Sequence, residues 1–301
     1  MVPAESNAAF YDQVPDGPAI DALMYKANAL ESANPDQAAQ TYLEILRHCN
    51  THLGAHNALE RMAHRHSCGS WMNLNGTIDP KDDIFLFFAR NAAYGNPIRE
   101  YLSDGWRTLS ELLVLMDSVG QPLTRLDSML EFASGFGRFT RHLAKVIPGR
   151  VTCSDVLPGA NDFVRTQFGV RTLDSAYEPE QLRSPKQFEL VFVLSLFTHL
   201  PPQTWGRWLK ALYAMVKPGG TLVFSVHNER IAKREGATFD ADGLCFIPSS
   251  ESPSIPGHVY GTTFTTRTFA ETSVKDALGM APILYREIAF WSGQDAVVVQ
   301  R

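Results

Sequence analysis

The feature that most constrains the fold is a regular alternation of apolar runs and amphipathic stretches from residue 126 to the C-terminus. Residues 188–194 form a partly β-branched run that is apolar except at Glu189, which is typical of a parallel strand buried on both faces. Alternating strands and helices predict a parallel sheet covered by helices on both sides. The predicted strands are 128–132, 150–154, 188–194, 221–226, 283–290 and 296–300, and the predicted helices are 139–146, 161–167, 202–216 and 265–277.

The first part of the chain has a different pattern. Residues 1–80 carry apolar side chains at helical spacing and are predicted to be a helical extension, with Pro35 in the favoured first turn of one helix. Residues 81–125 are again helical in pattern and are predicted to be a lid or linker leading to the sheet. The sequence therefore predicts an α/β domain over residues 126–301, preceded by two helical segments.

Charge and cysteine content narrow the possible partners and the location. The net charge of the 301-residue chain is −5, which argues against a broad basic face for nucleic acid. The four cysteines lie far apart and form no CxxC pair, as in a reduced protein. There is no apolar segment of signal-peptide type, and the longest apolar stretch is too short to span a bilayer. We therefore expect a cytoplasmic protein without a membrane partner.

The turn after the first predicted strand is built from small residues. The sequence from Leu130 to Arg138 reads LEFASGFGR, and small residues let backbone N–H groups approach a bound ligand closely. In open α/β sheets, ligands bind beyond the carboxyl ends of the strands, which is where this turn lies. A nucleotide-like ligand is the resulting hypothesis.

Two observations narrow the kind of nucleotide. The P-loop pattern is absent, and Thr140 stands where a dinucleotide fingerprint starting at Gly135 would have its third glycine. The next strand ends at Asp155, eighteen residues after Gly137, where a carboxylate can accept hydrogen bonds from a ribose diol. The acid fits both NAD and S-adenosylmethionine, so an NAD-dependent oxidoreductase stays open at this point.

Four segments of the chain resemble known motifs in a fixed order: 131–137, 151–156, 188–201 and 216–225. They look like the motifs of the class I S-adenosylmethionine-dependent methyltransferases, in that family's order. The C-terminal strand pair is similar to the family's antiparallel last strand. The resemblance covers residues 126–301 and implies a Rossmann-like seven-stranded, mostly parallel sheet beside the N-terminal α-helical region. Ala133 departs from it, because the family usually has a glycine there.

The resemblance also implies which residues contact S-adenosylmethionine and its product S-adenosylhomocysteine. The loop passes beneath the methionine part, the acid before it orients the loop and, through water, the amino group, and Asp155 holds the ribose. The residue after Asp155 packs on the adenine, the pair at 174–175 meets its edge, and the pair at 195–196 lines the sulfonium side. The full implied set is Glu131, Ala133, Ser134, Gly135, Gly137, Arg138, Asp155, Val156, Asp174, Ser175, Ser195 and Leu196.

Candidates for catalysis and acceptor binding come from the strand ends and from a long insertion. His199 and His227 follow two buried strands, and histidine is the natural base near pH 7, although His199 alternatively braces its loop. Residues 229–263 form an insertion rich in proline and serine. A connection of this length is usually functional or disordered, and we expect this one to shape the acceptor pocket. The predicted acceptor contacts are Tyr94, Trp106, His258 and Tyr260.

Histidines also cluster in the N-terminal region. His48, His52 and His56 are spaced by four residues, which would place them on one helical face. No accompanying carboxylate pattern supports a metal site, so we predict no metal and a solvated polar face.

The leading hypothesis is methyl transfer to a small-molecule or glycan-like acceptor. It depends on the acidic charge, the missing basic stripe and the long insertion. Two alternatives remain: a methyltransferase for protein or RNA that docks through its N-terminal helices, and a non-catalytic cofactor-binding or scaffold protein. The sequence indicates neither the acceptor atom nor the oligomeric state.

Overall fold

The computed structural model describes residues 17–91 and 95–301. Tyr94, a predicted acceptor contact, lies outside the described residues. The chain forms two compact units, Met1–Ser103 and Asp104–Arg301. The boundaries predicted from the sequence, after residues 80 and 125, lie on either side of this division.

The first unit is helical. Its apolar centre includes Tyr42 and Ile45, which are fully buried. Asn34 caps the second helix by accepting a hydrogen bond from the backbone of Gln37, and Pro35 follows in the first turn, as predicted. The helices are α1 (Gly17–Leu30), α2 (Pro35–His48), α3 (Leu53–Arg61), α4 (Cys68–Met72), α5 (Asp83–Arg90) and α6 (Pro97–Ser118), the last of which continues into the second unit.

The prediction of a solvated histidine face in this unit is wrong. Helix α2 ends at His48, so the three histidines do not share one helix. His52 instead caps α3, where its Nδ1 accepts a hydrogen bond from the backbone of Ala55. His56 is buried, and its Nε2 lies 2.7 Å from the carbonyl oxygen of Gly76. Both histidines are structural because each meets a backbone group of this unit.

The second unit contains the predicted seven-stranded sheet. The strand order is β3-β2-β1-β4-β5-β9-β8, and β9 runs antiparallel to both of its neighbours, which confirms the predicted fold. Phe132 pairs with both Ser154 and Val193, so three parallel strands end level with one another at one edge. The strands of this sheet are β1 (Met129–Phe132), β2 (Val151–Ser154), β3 (Arg171–Thr172), β4 (Phe188–Val193), β5 (Val216–Val226), β8 (Leu284–Phe290) and β9 (Gln294–Gln300).

Two apolar clusters lie on opposite faces of the sheet. In β4, Val191 and Val193 belong to one cluster, whereas Leu190 and Phe192 belong to the other. Because successive side chains of a strand point to opposite faces, this division explains why residues 190–193 are all apolar. The helices of this unit after α6 are α7 (Thr140–Val146), α8 (Ala160–Phe168), α9 (Pro202–Ala214), α10 (Glu229–Arg234) and α11 (Arg267–Leu278).

The insertion after β5 is more ordered than predicted. It contains α10 and strand β6 (Leu244–Ile247), which pairs antiparallel with β7 (Thr262–Thr265). The helix predicted from residue 265 begins two residues later, because Thr266 caps it by accepting a hydrogen bond from the backbone of Phe269. Threonine and phenylalanine favour strands, so the residues just before the cap extend into β7. Over the described ranges, no helix is both long and apolar enough to cross a bilayer.

Candidate active site

The loop between β1 and α7 begins in left-handed backbone. The backbone N–H of Ala133 donates to the carbonyl oxygen of Ser154 at 2.8 Å, which joins the loop to the end of β2. Ala133 has φ of 59°, and Gly135 and Gly137 have φ of 54° and 79°. The left-handed region costs an L-residue roughly 1–2 kcal/mol, so Ala133 is strained where a glycine would not be.

The two glycines of the loop are required for different reasons. No atom lies within 4 Å of the point where a Cβ on Gly135 would stand, so this side of the loop is open. A Cβ on Gly137 would stand 2.6 Å from Phe168 and 2.9 Å from Val164, both on α8. Gly135 therefore leaves space for a ligand, whereas Gly137 lets the loop pack against its neighbouring helix.

Asp155 is held at the mouth of this loop. One oxygen of its carboxylate accepts a hydrogen bond of 2.6 Å from the backbone N–H of Gly135, and the other accepts from Leu157 at 2.8 Å. Asn161, on α8, exchanges hydrogen bonds with the backbone N–H and C=O of Asp155. Each carboxylate oxygen has lone pairs for a further bond, so the fixed acid can still accept from a ribose diol.

Glu131 is directed into the protein and is fully buried. Thr140, at the start of α7, donates a hydrogen bond of 2.7 Å to its carboxylate, and the Cys153 thiol lies 3.7 Å away. Burial raises the pKa of Glu131 to about 8, although the hydrogen bonds from Thr140 and Cys153 oppose the shift. Glu131 thus connects β1 to the helix after the loop, while its predicted role in orienting the loop and the cofactor's amino group stays a prediction.

Arg138 of the loop and Trp106 of α6 take part in the contacts between α6, the loop and α7. The guanidinium of Arg138 forms an ion pair with Asp104 and lies 4.5 Å from the ring centroid of Trp291. Trp106 is exposed, and its ring lies 6.2 Å from that of His142 on α7. These side chains join α6 to the loop and to α7; their predicted ligand contacts stay predictions.

The remaining predicted cofactor residues follow the strand ends. Val156 is half-buried beside Asp155, while Asp174 and Ser175 follow β3, with Asp174 exposed. Ser134 is buried within the loop, and its backbone N–H donates to the carbonyl oxygen of Ser154 at 3.3 Å. After β4, Ser195 has φ of 64°, and Leu196 packs into the core.

A polar network connects the ends of β4, β5 and β9. The backbone N–H of Ser195 donates to the Ser225 hydroxyl, which donates in turn to Oε1 of Gln294 at 2.6 Å. The Gln294 amide donates to the Ser195 hydroxyl at 2.7 Å and faces Nε2 of His227 at 3.4 Å. Because an amide nitrogen only donates, Nε2 of His227 is the acceptor.

His227 is held in its neutral form. Burial, followed by the nearby charge of His199, lowers the pKa of His227 to about 4. The backbone of His227 forms a parallel β-bridge with Phe264 of β7. Strand β7, which begins at the end of the insertion, therefore contacts the end of β5 directly.

His199 occupies the turn between β4 and α9 and contacts the insertion on three sides. Its Nδ1 lies 2.5 Å from the carbonyl oxygen of Gly261, and its Nε2 lies 3.3 Å from the carboxylate of Glu251. The ring of Tyr260 stacks on it, with centroids 4.2 Å apart and planes 16° apart. Of the two predicted acceptor contacts here, Tyr260 adjoins a candidate catalytic histidine, and His258 is exposed in the preceding turn.

Three further residues of this site were not predicted from the sequence: Asn161, Glu251 and Gln294. Asn161 belongs to the helix after Asp155, and its spacing from that acid was an available signal. Glu251 lies in a stretch of serines and prolines, and Gln294 begins the last strand. Neither of these has a neighbouring motif, so no local signal could have identified them.

The residues at the loop fit a nucleoside with a charged tail. The open side of Gly135 gives space, Asp155 gives hydrogen-bond acceptors, and Ser154 has a buried hydroxyl with no hydrogen-bond partner in the described part of the chain. Within the same part of the chain, no group of three or more His, Cys, Asp or Glu residues could hold a metal ion.

Comparisons with known proteins agree with this arrangement. Residues 129–220 match the family model described as a methyltransferase domain. No curated protein matches the chain.

Several solved structures are similar at low identity. Magnesium protoporphyrin IX methyltransferase from Synechocystis PCC 6803 is 13% identical over 73% of this chain and 93% of that one, with a TM-score of 0.49. The 1,6-didemethyltoxoflavin-N1-methyltransferase from Burkholderia thailandensis is 17% identical over 67% and 81%, with a TM-score of 0.47. The N-methyltransferase NodS from Bradyrhizobium japonicum WM9 is 16% identical over 73% and 99%, with a TM-score of 0.45.

The family match spans the region from β1 to the beginning of β5, which contains the glycine loop, Asp155 and the turn after β4. The sheet around this region has the seven strands and the antiparallel last strand that the resemblance implied. Residues 129–220 therefore match a methyltransferase domain, and the sheet around them has the class I S-adenosylmethionine-dependent methyltransferase fold.

Proposed function

We propose that this methyltransferase acts on a small-molecule or glycan-like acceptor. The observation that carries the proposal is the position of the insertion at the carboxyl ends of β4 and β5. Backbone hydrogen bonds join Gly261 to His199, Thr263 to Thr198 and Thr265 to His227. A folded segment fixed along these strand ends suits a small acceptor better than a folded macromolecule. The net charge of −5 also disfavours an RNA substrate.

The chain's own residues supply binding, orientation and exclusion of water. S-adenosylmethionine, when bound, supplies a methyl group on a positively charged sulfur for in-line displacement by an acceptor. The loop at Gly135 and the acid Asp155 would hold the nucleoside, while the network around Ser195 fixes the end of β4 beside the reacting region. Fixing the acceptor in line is the main catalytic task in such a transfer.

A general base is needed only for acceptors that must lose a proton. His227 is neutral near pH 7, which is the state that accepts a proton, but its lowered pKa makes it a weak base. Both ring nitrogens of His199 face protein acceptors. The assignment of either histidine as the base stays a prediction, and the geometry gives His199 a bracing role first.

Calorimetry with S-adenosylhomocysteine tests the cofactor part of the proposal. Asp155→Ala removes a charged acceptor and the partner of the Gly135 amide, so affinity should fall by about 1–3 kcal/mol. Asp162→Ala, an exposed acid on α8 paired with Arg165, is the matched control and should bind as the wild type does. Equal affinity of all three proteins would refute the ribose role of Asp155, and wild-type binding of NAD instead would contradict the cofactor assignment.

Transfer of a labelled methyl group tests the acceptor class. The wild-type protein is incubated with labelled cofactor and either small hydroxyl, amine and sugar compounds or a total RNA and protein fraction. We expect label only in the small compounds. Label found in RNA or protein alone would overturn this part of the proposal and favour a docking role for the N-terminal helices.

A further inference from the structure

We infer that Glu251 is a positioning residue, whose carboxylate and the His199 ring form a clasp that holds residues 249–261 of the insertion against the turn after β4. The inference deepens the proposed function, because it assigns the contact that fixes the acceptor-side segment in place. The clasp comprises Glu251, His199, Tyr260 and Gly261.

The geometry of the clasp brings two distant parts of the chain together. His199 is 3% exposed, and its two ring nitrogens point to Gly261 and Glu251, which lie ten residues apart on the insertion. Tyr260 stacks on one face of the ring. One side chain of the β4–α9 turn therefore contacts the beginning and the end of this segment.

The proton count explains why the pair is attractive. A carbonyl oxygen accepts only from a donor, so Nδ1 of His199 carries a proton and donates it to Gly261. Nε2 lies 3.3 Å from the carboxylate of Glu251, and a proton between these two atoms gives a charge-assisted hydrogen bond. Burial opposes the ionised carboxylate, but the hydrogen bond and charge of His199 outweigh it and lower the pKa of Glu251 to about 2.

Another side-chain contact of this segment stays within the insertion. The Thr262 hydroxyl donates to the carbonyl oxygen of Ser249, a contact within the insertion. The backbone bond from Gly261 to His199 fixes the end of the segment but not its middle. Glu251 thus connects the first half of the segment to a residue outside the insertion, and the loss of its charge should release that half first.

Hydrogen exchange measured without any acceptor tests the clasp. Glu251→Gln keeps the size of the side chain and removes its charge, so exchange in peptides covering 249–261 should rise by at least about tenfold, while the sheet strands stay protected. Glu235→Gln is the matched control, because it removes an exposed acid of the same insertion that pairs with Arg234. Equal exchange in all three proteins would overturn the inference, and so would an equal rise in both variants.

A double-mutant cycle separates a specific pair from general loosening. His199→Gln should raise exchange in the same peptides, and the double variant should exchange no faster than the faster single one. Rises that multiply in the double variant would show independent effects and contradict a clasp. Global unfolding of Glu251→Gln would also contradict it, since the clasp confines the loss to residues 249–261.

Kinetics then connect the clasp to the proposed function. Once an acceptor is identified, Glu251→Gln should raise its KM by about tenfold, with unchanged affinity for S-adenosylhomocysteine. A lost cofactor affinity with normal KM would overturn the positioning role. The hydrogen-exchange experiment needs no acceptor, so it tests the clasp even if the small-molecule proposal fails.

Discussion

The cofactor side and the acceptor side of the site are built in different ways. The cofactor side comes from one stretch, residues 131–155, in which a strand, a loop, a helix and the next strand follow directly. The acceptor side is assembled from the ends of β4 and β5, the insertion and the beginning of β9. A continuous segment can be recognised from its spacing, whereas an assembled one depends on which strands pair.

The two sides also hold opposite protonation states. Burial raises the pKa of Glu131 on the cofactor side to about 8 and lowers that of His227 on the acceptor side to about 4. Each shift favours the neutral form, because both groups lie away from water. Near pH 7 each of these two buried side chains is therefore uncharged.

The largest expected effect separates packing from ligand space within the glycine loop. Gly137→Ala places a Cβ against Phe168 and Val164 in left-handed backbone, so we expect a loss of about 3 kcal/mol in the free energy of unfolding. Gly135→Ala meets no neighbour and should lose only about 1 kcal/mol from backbone strain. Urea unfolding measures both.

Cofactor affinity should rank the same two variants in the opposite sense. Among molecules that remain folded, Gly135→Ala should weaken S-adenosylhomocysteine binding more than Gly137→Ala, because its methyl group enters the open side of the loop. Equal destabilisation by both substitutions would show that the loop is not divided in this way.

The sequence was sufficient for the first side and insufficient for the second. The small residues around Gly135 and the acid at Asp155 lie within one strand–helix–strand unit, so local spacing was enough to predict that they lie together. Glu251 reaches His199 only because residues 261–263 pair with the turn after β4, and Gln294 meets Ser195 only because β9 lies beside β5. The histidine spacing misled for a related reason, since a helix ends inside it at His48.

A pH titration of stability compares the two neutral buried groups. Glu131 binds its proton more tightly in the folded state, so its contribution to stability falls as the pH rises from about 4.5 to about 8. His227 binds its proton less tightly when folded, so its contribution rises between about pH 4 and pH 6.5. Each slope is at most about 1.4 kcal/mol per pH unit.

Glu131→Gln and His227→Gln isolate these slopes when unfolding free energies are measured from pH 5 to pH 8 without cofactor. Relative to the wild type, the first variant should gain stability as the pH increases over the whole range. The second should lose relative stability between pH 5 and pH 6.5 and then run parallel to the wild type. Slopes of the same sign for both variants would contradict the opposite protonation of the two sides.

The smallest effect concerns Ala133, the residue at which the loop departs from the family. Its φ of 59° costs an L-residue roughly 1–2 kcal/mol, and Ala133→Gly removes that cost. Two effects oppose this gain. Glycine gives the unfolded chain more conformational freedom, which lowers the free energy of unfolding by roughly 0.4–1 kcal/mol, and the contact of the Ala133 methyl group with the core is lost. The net increase in the free energy of unfolding should be about 0.5 kcal/mol. Ala144→Gly, within helix α7, should instead destabilise by about 1 kcal/mol. If Ala133→Gly raises stability and Ala144→Gly lowers it, the backbone at Ala133 is strained. If both variants are less stable than the wild type, the packing of the Ala133 methyl group outweighs the strain.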